Sequence, residues 1–362
     1  MYIEFSNLGV VSEMNRDVEI YFNELSSFYS NFFELVKNRA CCPNACKRVL
    51  KKYLINKAET VTYKYQTKKG VLWIEWVVCK VEQSKFVAIG KDVTCVKKFE
   101  PIIKEQNRIL KLQNKSMLDS IKYAQGIQSS LLPDVSDLKL LRNNFIIYEP
   151  KDIVSGDFYW FHQVDNFLFI ASIDCTGHGV PGALMTVLSN TLLNEIIIHK
   201  KKINPADILK ELDEQLCEAL KVNDRMVKDG LDIGLCRLDT SSKEFTFSGA
   251  FQNVIVARDK TLTKVKGGRF PIGHYPFAVK EFSNQILNLK SEDRFYFYSD
   301  GYQDQFGGAK NKKIGSKKVL ALIAETQELS MRQQKECLKS YFQNWKGAGD
   351  QVDDVLFMGF EI

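Results

Sequence analysis

The sequence predicts an α+β chain in three parts: an N-terminal α+β domain, a helical linker, and a C-terminal antiparallel β-sandwich flanked by helices. Three observations carry this. The 362 residues are 45% hydrophobic and 26% charged, the balance of a globular chain long enough for two or three domains. β-rich runs recur through the C-terminal part with successive helical patterns between them, which favours helices packed on antiparallel sheets. Ile103, Leu110, Met117, Ala124 and Leu131 recur every seven residues, the mark of a long helix.

Composition excludes several classes. Lys and Arg number 50 and Asp and Glu 44, a net charge of +6 without a basic tail, so nucleic acid is not an implied partner. No segment approaches the ~20 apolar residues that span a bilayer, and the start, MYIEFSNLGV, lacks the pattern of a secretory signal. No membrane association is therefore expected. The 9 cysteines are odd in number and scattered, as reduced cytoplasmic thiols are. The histidines are only His162, His178, His199 and His274. A metal site in this chain is accordingly expected to be built from carboxylates.

Residues 1–99 read as a small α+β unit. Helical patterns cover Asp17–Val36 and Cys46–Ile55. Alternating β-rich runs follow at Glu59–Gln66 and Val71–Val81, joined by the turn Thr67-Lys68-Lys69-Gly70, and a third run is Phe86–Ile89. Strands after short helices, leaving through Gly90-Lys91-Asp92-Val93-Thr94 into a charged helix, resemble a PAS sensor domain; an unrelated α+β dimerisation domain is the other reading. Cys41, Cys42 and Cys46 cluster, but no second Cys pair or His lies near them in sequence, so they read as plain thiols.

Residues 100–134 are the helical linker. Its second heptad row is partly polar, through Asn107, Asn114 and Gln128, with Ile121 a partial exception. One apolar seam beside a polar row suits a weak, switchable helix pair, hence a homodimer through the linker and the N-terminal domain; a connector packed on its own domain is the alternative. Pro133 and Asp134 stop the helix.

In residues 140–362, strands are expected at Phe145–Tyr148, Phe158–Gln163, Phe167–Asp174, Leu231–Leu238, Glu244–Ser248, Asn253–Arg258, Phe295–Ser299 and Val355–Ile362. Helices are expected at Pro181–His199, Pro205–Leu220, Ser316–Glu325 and Ser330–Trp345.

Four aspartates in this region lie at strand edges or tight turns: Asp157, Asp174, Asp300 and Asp353. Singly, each reads as a turn or cap residue. Together, carboxylates at the ends of buried strands would repel one another unless a cation held them. An all-oxygen set favours Mg²⁺ or Mn²⁺, and two such ions suit phosphate-ester hydrolysis. Gly177-His178-Gly179-Val180-Pro181-Gly182 fits the dinucleotide-binding spacing, but a second helix follows where that unit needs a parallel strand. Its glycines are better explained by backbone crowding around Asp174, with Pro181 in the first helical turn.

Five segments occur in order: Ser155-Gly156-Asp157-Phe158-Tyr159-Trp160, Asp174-Cys175-Thr176-Gly177-His178-Gly179-Val180-Pro181-Gly182-Ala183, Asp229-Gly230-Leu231-Asp232-Ile233, Tyr298-Ser299-Asp300-Gly301-Tyr302 and Gln351-Val352-Asp353-Asp354-Val355. With them, residues 140–362 closely resemble the SpoIIE-like branch of the PPM metal-dependent protein serine/threonine phosphatases. Ile121-Lys122-Tyr123-Ala124-Gln125 through Leu131-Leu132-Pro133 resembles the helix that precedes the catalytic domain in bacterial members. The resemblance implies two antiparallel sheets flanked by helices and two Mn²⁺ or Mg²⁺ ions. It implies that Asp174 bridges the ions, that the backbone carbonyl of Cys175 helps bind one, and that Asp157, Asp300 and Asp353 complete the shell directly or through water. Asp354 occupies a neighbouring position with an open role. His178 becomes a candidate acid for the leaving seryl oxygen, or a loop-ordering residue. Gly249-Ala250-Phe251-Gln252-Asn253 departs from the Gly-Ala-Asn-Asn-Pro frequent in relatives, which bears on target choice.

The expected function is hydrolysis of phosphoserine or phosphothreonine on a protein by metal-activated water, under control of the N-terminal domain. In bacterial relatives the substrate is often a phosphorylated STAS-type anti-sigma-factor antagonist. The alternative is a sensor or interaction protein whose phosphatase-like domain chiefly binds a partner.

Overall fold

The computed structural model describes residues 1–6, 11–14, 59–67, 70–82, 85–138, 141, 143–221, 229–275 and 279–362. The helices expected at Asp17–Val36 and Cys46–Ile55, Lys68-Lys69 of the expected turn, and Cys41, Cys42 and Cys46 lie outside the described residues. The chain divides into two compact units, Met1–Lys115 and Ser116–Ile362.

The first unit holds an antiparallel sheet of β1 (Tyr2–Ser6), β2 (Val11–Met14), β3 (Glu59–Thr67), β4 (Gly70–Glu82) and β5 (Lys85–Asp92), in the order β2-β1-β5-β4-β3. Period-two alternation puts Leu72, Ile74, Trp76 and Val78 of β4 and Phe86 and Ala88 of β5 on the buried face. Helix α1 (Thr94–Leu131) starts earlier than the heptad pattern indicated. The cause is local capping. The Thr94 backbone N–H donates to Asp92 Oδ1 at 2.8 Å, and Thr94 Oγ1 accepts from the Trp73 N–H at 2.8 Å. The Gly90-to-Thr94 motif is thus a hinge of hydrogen bonds between the last strand and the helix.

The second unit contains two packed sheets. One comprises β7 (Asp157–Val164), β8 (Phe167–Cys175), β9 (Gly230–Asp239), β10 (Glu244–Ala250) and β14 (Gln285–Asn288), ordered β14-β10-β9-β8-β7, with β13 (Ile272–Gly273) pairing β9. The other is ordered β12-β11-β15-β18-β6: β12 (Thr261–Val265), β11 (Val254–Arg258), β15 (Arg294–Tyr298), β18 (Val355–Glu361) and β6 (Asn144–Glu149). Every pairing is antiparallel.

Three apolar layers hold this unit. Leu168 and Ile170 of β8 face the other sheet and pack with Phe245, Phe247, Phe295 and Phe297. Phe169, Ala171 and Ile173 point the opposite way, against α2 (Gly179–Leu193), its π-helical continuation Asn194–His199, and α3 (Pro205–Leu220). On the outer face of the second sheet, Phe145, Tyr296 and Phe357 pack against α4 (Asp300–Asp304), α5 (Ser316–Glu325) and α6 (Met331–Lys346). Covered on both faces, β8 reads as an unbroken apolar run. Each fully buried aromatic here contributes about 1.5–3 kcal/mol.

The predicted strands and helices of this region are present with shifted ends. The single helix expected to His199 instead changes to π-helix at Asn194, whose side chain accepts from Trp160 Nε1 at 2.9 Å. β12, β13, β14, α4 and the hairpin of β16 (Phe306–Gly307) with β17 (Lys312–Lys313) were not foreseen, being too short or too polar to show periodicity. One composition expectation is corrected. Gly179–His199 is long and apolar enough to cross a membrane by length and hydropathy. Its apolarity has a different cause, since Met185, Leu193, Ile196 and Ile197 are buried in the core beneath the first sheet.

Candidate active site: a carboxylate cluster between two sheets

β8 lies between β7 and β9, and their register places Asp157 opposite Asp174, and Asp174 opposite Asp232. Residues directly opposite in an antiparallel pair share a face, with Cβ atoms about 4.5–5.5 Å apart. By alternation, Asp174 shares its face with Leu168 and Ile170, the face toward the second sheet. Three carboxylates thus form one row at the end of the inter-sheet layer. The second sheet brings two more to the same end. Asp300 follows β15 as the first residue of α4, and Asp353 just precedes β18, the strand beside β15.

Close backbone packing fixes these turns. A Cβ on Gly301 would stand 1.9 Å from the Asp354 carbonyl oxygen, so only glycine lets α4 start against the Asp353-Asp354 turn. A Cβ on Gly182 would stand 2.3 Å from the Gly177 carbonyl, which bears out backbone crowding in the loop after Asp174. The antiparallel neighbours of β8 leave no parallel strand for a dinucleotide fold.

The electrostatics follow from burial. Asp157 is 2% exposed and its Oδ2 has no hydrogen-bond partner. Burial, with the Asp354 and Asp353 charges, pushes its carboxyl up to about 8 against the hydrogen bond from Ser299. Asp174 is raised well above the ordinary range by burial and by the charges of Asp157, Asp300 and Asp232. Asp232 is pushed up to about 7 by burial and by Asp300. Asp300 is raised by burial and by Asp353 and Asp304, with Lys313 opposing. The carboxylates of both sheets therefore act on one another as a single group.

An orphaned, fully buried carboxylate oxygen among mutually repelling carboxylates fits a bound divalent cation. Among the described residues no three Asp, Glu, His or Cys side chains stand ready to chelate an ion by themselves. The Cys175 thiol is buried, and burial with the charges of Asp174 and Asp157 raises its pKa well above the ordinary thiol value.

The predicted residues Asp157, Asp174, Asp300 and Asp353 converge. The two residues of the last motif divide their work. Asp354 accepts from the Lys151 N–H through Oδ1 and from the Gly156 N–H through Oδ2, both at 2.7 Å, and so ties the turn before β18 to the loop before β7. The Asp353 side chain accepts the adjacent Asp354 N–H through Oδ1 at 2.9 Å, and its carbonyl accepts from Gln351 Nε2 at 2.8 Å. His178 stands at the N-cap position of α2 without a side-chain capping bond, and its Nδ1 lies 2.6 Å from Asp152 Oδ2.

Sequence reasoning missed three participants. Asp232 stood inside a quoted motif without a role, and its pairing opposite Asp174 needed the β8–β9 register. Asp152 became visible only through its contact with His178. Gln128, read as part of a polar heptad row, is 4% exposed; it donates from Nε2 to the Ser155 carbonyl at 2.6 Å and accepts from the Ser155 N–H at 3.1 Å. Ser155 lies two residues before Asp157, so α1 grips the strand that carries the most buried carboxylate.

Residues 165–362 match the sequence profile of stage II sporulation protein E (SpoIIE). Among solved structures, the chain is similar to the SiaA-PP2C domain of Pseudomonas aeruginosa, at 29% identity and a TM-score of 0.64, over 69% of this chain and 98% of that one. It is also similar to the PP2C phosphatase domain and regulatory fragment of SpoIIE from Bacillus subtilis, at 17% identity and a TM-score of 0.48, over 60% and 62% of the two chains. No curated protein sequence matches the chain.

Proposed function

The chain belongs to the SpoIIE family, with a C-terminal PP2C-type phosphatase domain, and from that premise we propose that it hydrolyses phosphoserine or phosphothreonine on a signalling protein at the carboxylate cluster. The observation that carries this reading is the row Asp157, Asp174 and Asp232 facing Asp300 and Asp353, with a buried, unpartnered oxygen on Asp157.

Two Mn²⁺ or Mg²⁺ ions held there would supply Lewis-acid activation of water and neutralise phosphate charge. Asp174, at the centre of the row, would hold both ions, and Asp157, Asp300 and Asp353 would complete the set directly or through water, with the Cys175 carbonyl. Asp354 holds the loop geometry. His178, four residues after Asp174 and held at Nδ1 by Asp152, would give a proton from Nε2 to the leaving seryl oxygen.

The N-terminal unit acts in this reading as a PAS-like sensor. Val96, Phe99, Ile103, Leu110 and Met117 leave an exposed apolar seam on α1, which supports a homodimer paired through this helix. Changed helix pairing would reach the cluster through Gln128 and Ser155. The substrate class expected from bacterial relatives is a phosphorylated STAS-type anti-sigma-factor antagonist in the cytoplasm.

The test is Mn²⁺-dependent release of phosphate from a phosphoserine peptide. Asp174→Asn is expected to lower kcat at least about a hundredfold, as loss of a charge-stabilising group does. Wild-type rates in Asp174→Asn and Asp300→Asn would remove the reaction from this cluster.

A further inference from the structure

We infer that the β16–β17 hairpin is a docking face for an acidic segment of the phosphoprotein substrate; this rests on the phosphatase reading above. Residues 307–318, Gly-Gly-Ala-Lys-Asn-Lys-Lys-Ile-Gly-Ser-Lys-Lys, hold five lysines: Lys310, Lys312, Lys313, Lys317 and Lys318. Lys313 pairs with Asp304 at 2.7 Å and Lys318 with Glu325 at 3.6 Å. Lys310, Lys312 and Lys317 are exposed, and among the described residues no carboxylate lies within ion-pair distance of them. Phe306, also exposed, sits among these lysines with Lys313 Nζ 5.7 Å from its ring centre.

A run of lysines is ordinarily a solvated face. This one differs in rigidity and in place. The hairpin is pinned by main-chain and buried contacts: Gly308 N–H donates to the Trp345 carbonyl at 2.8 Å, and Trp345 Nε1 donates to the Lys312 carbonyl at 3.0 Å. Buried Gln305 donates to the Asp350 carbonyl at 3.0 Å and accepts from the Val352 N–H at 3.1 Å, which joins the base of the hairpin to the loop that carries Asp353. At the same end, Gln305 joins the hairpin to α4, whose first residue is Asp300.

The physical need is clear. Metal ions held by the cluster would draw in the phosphate, but the carboxylates around them offer nothing to acidic residues beside it. A positive rim beside the cluster supplies that attraction, steers an acidic segment to the site, and leaves an aromatic ring for its apolar residues. Charge complementarity therefore favours an acidic phosphoprotein as the occupant, because only a substrate must lie on the hairpin and reach the cluster at once.

The test uses the full-length protein with Mn²⁺ and three substrates: a phosphoserine peptide with acidic flanks, the same peptide with neutral flanks, and p-nitrophenyl phosphate. The triple variant Lys310→Glu, Lys312→Glu and Lys317→Glu is expected to lower the acidic-to-neutral ratio of kcat/KM about tenfold, mainly through KM, and to flatten its salt dependence. The corresponding triple Lys→Arg variant is expected to keep the ratio. An unmoved ratio in the Glu variant, with p-nitrophenyl phosphate still turned over by the wild type, would overturn the docking face alone. Absence of any turnover by the wild type would overturn the phosphatase reading and this inference with it. Loss of binding to duplex DNA or to phosphatidylserine vesicles, with the peptide ratio unmoved, would assign the lysines to another partner and overturn the inference.

Discussion

Asp157 is buried and Asp174 half-buried, and the fold disfavours the charged form of each. The sign of the consequence is fixed. A carboxyl raised to about 8 in the folded state and near 4 when unfolded contributes stability below about pH 4, and that contribution is lost as pH rises toward 8. In EDTA the protein is therefore expected to melt progressively lower between pH 5 and 8, by at least ~2–4 °C, with Asp157→Asn flattening the trend. Mn²⁺ replaces the protons and should restore the melting temperature at pH 8. A metal-free melting temperature that rises across this range would remove the case for a strained carboxylate cluster. At this scale the sequence was informative about residue type and turn position: Asp157, Asp174, Asp300 and Asp353 were each legible at a strand edge. Asp232 was not, because a register match across two strands leaves no mark on spacing along one.

Helix α1 shows the same division at the scale of an element. Its heptad seam was readable, and the seam is exposed in the structure. Gln128 was legible only as a polar interruption, yet it satisfies both backbone groups of fully buried Ser155. Gln128→Ala would leave that N–H and C=O without partners, a cost of about 1–3 kcal/mol. It is expected to loosen the loop before Asp157 and to raise the Mn²⁺ concentration needed for half-maximal phosphate release about tenfold, read by metal titration. Gln128→Glu, which keeps one acceptor, should recover part of the loss. An unchanged metal requirement in Gln128→Ala would disconnect α1 from the site. The hairpin β16–β17 escaped sequence reasoning for the opposite reason: strands of two residues have no period, and their place is set by Trp345 and Gln305.

At the scale of the molecule, two units are joined through one continuous helix, and the second contains the whole carboxylate cluster. The exposed positions Ile103, Leu110 and Met117 are surface side chains on that helix. Replacing all three with Lys is expected to shift a dimer to monomer in sedimentation equilibrium while the melting of the sheets stays within about 1 kcal/mol of wild type, since exposed substitutions rarely exceed that. A wild-type chain that is monomeric at every concentration would end the helix-pairing proposal.

The sequence by itself indicated antiparallel sheets with flanking helices, the linker helix and a set of strand-edge carboxylates, because hydrophobic periodicity and residue type are written along one chain; the pairing of two sheets came from the family resemblance. Only the tertiary structure decided which carboxylates share a face, which of Asp353 and Asp354 is committed to backbone N–H groups, and which polar side chains reach the loops behind the site. Those are relations between strands that are distant in sequence. Register, burial and hydrogen-bond partnership arise when the sheets pack, and nothing in local spacing encodes them.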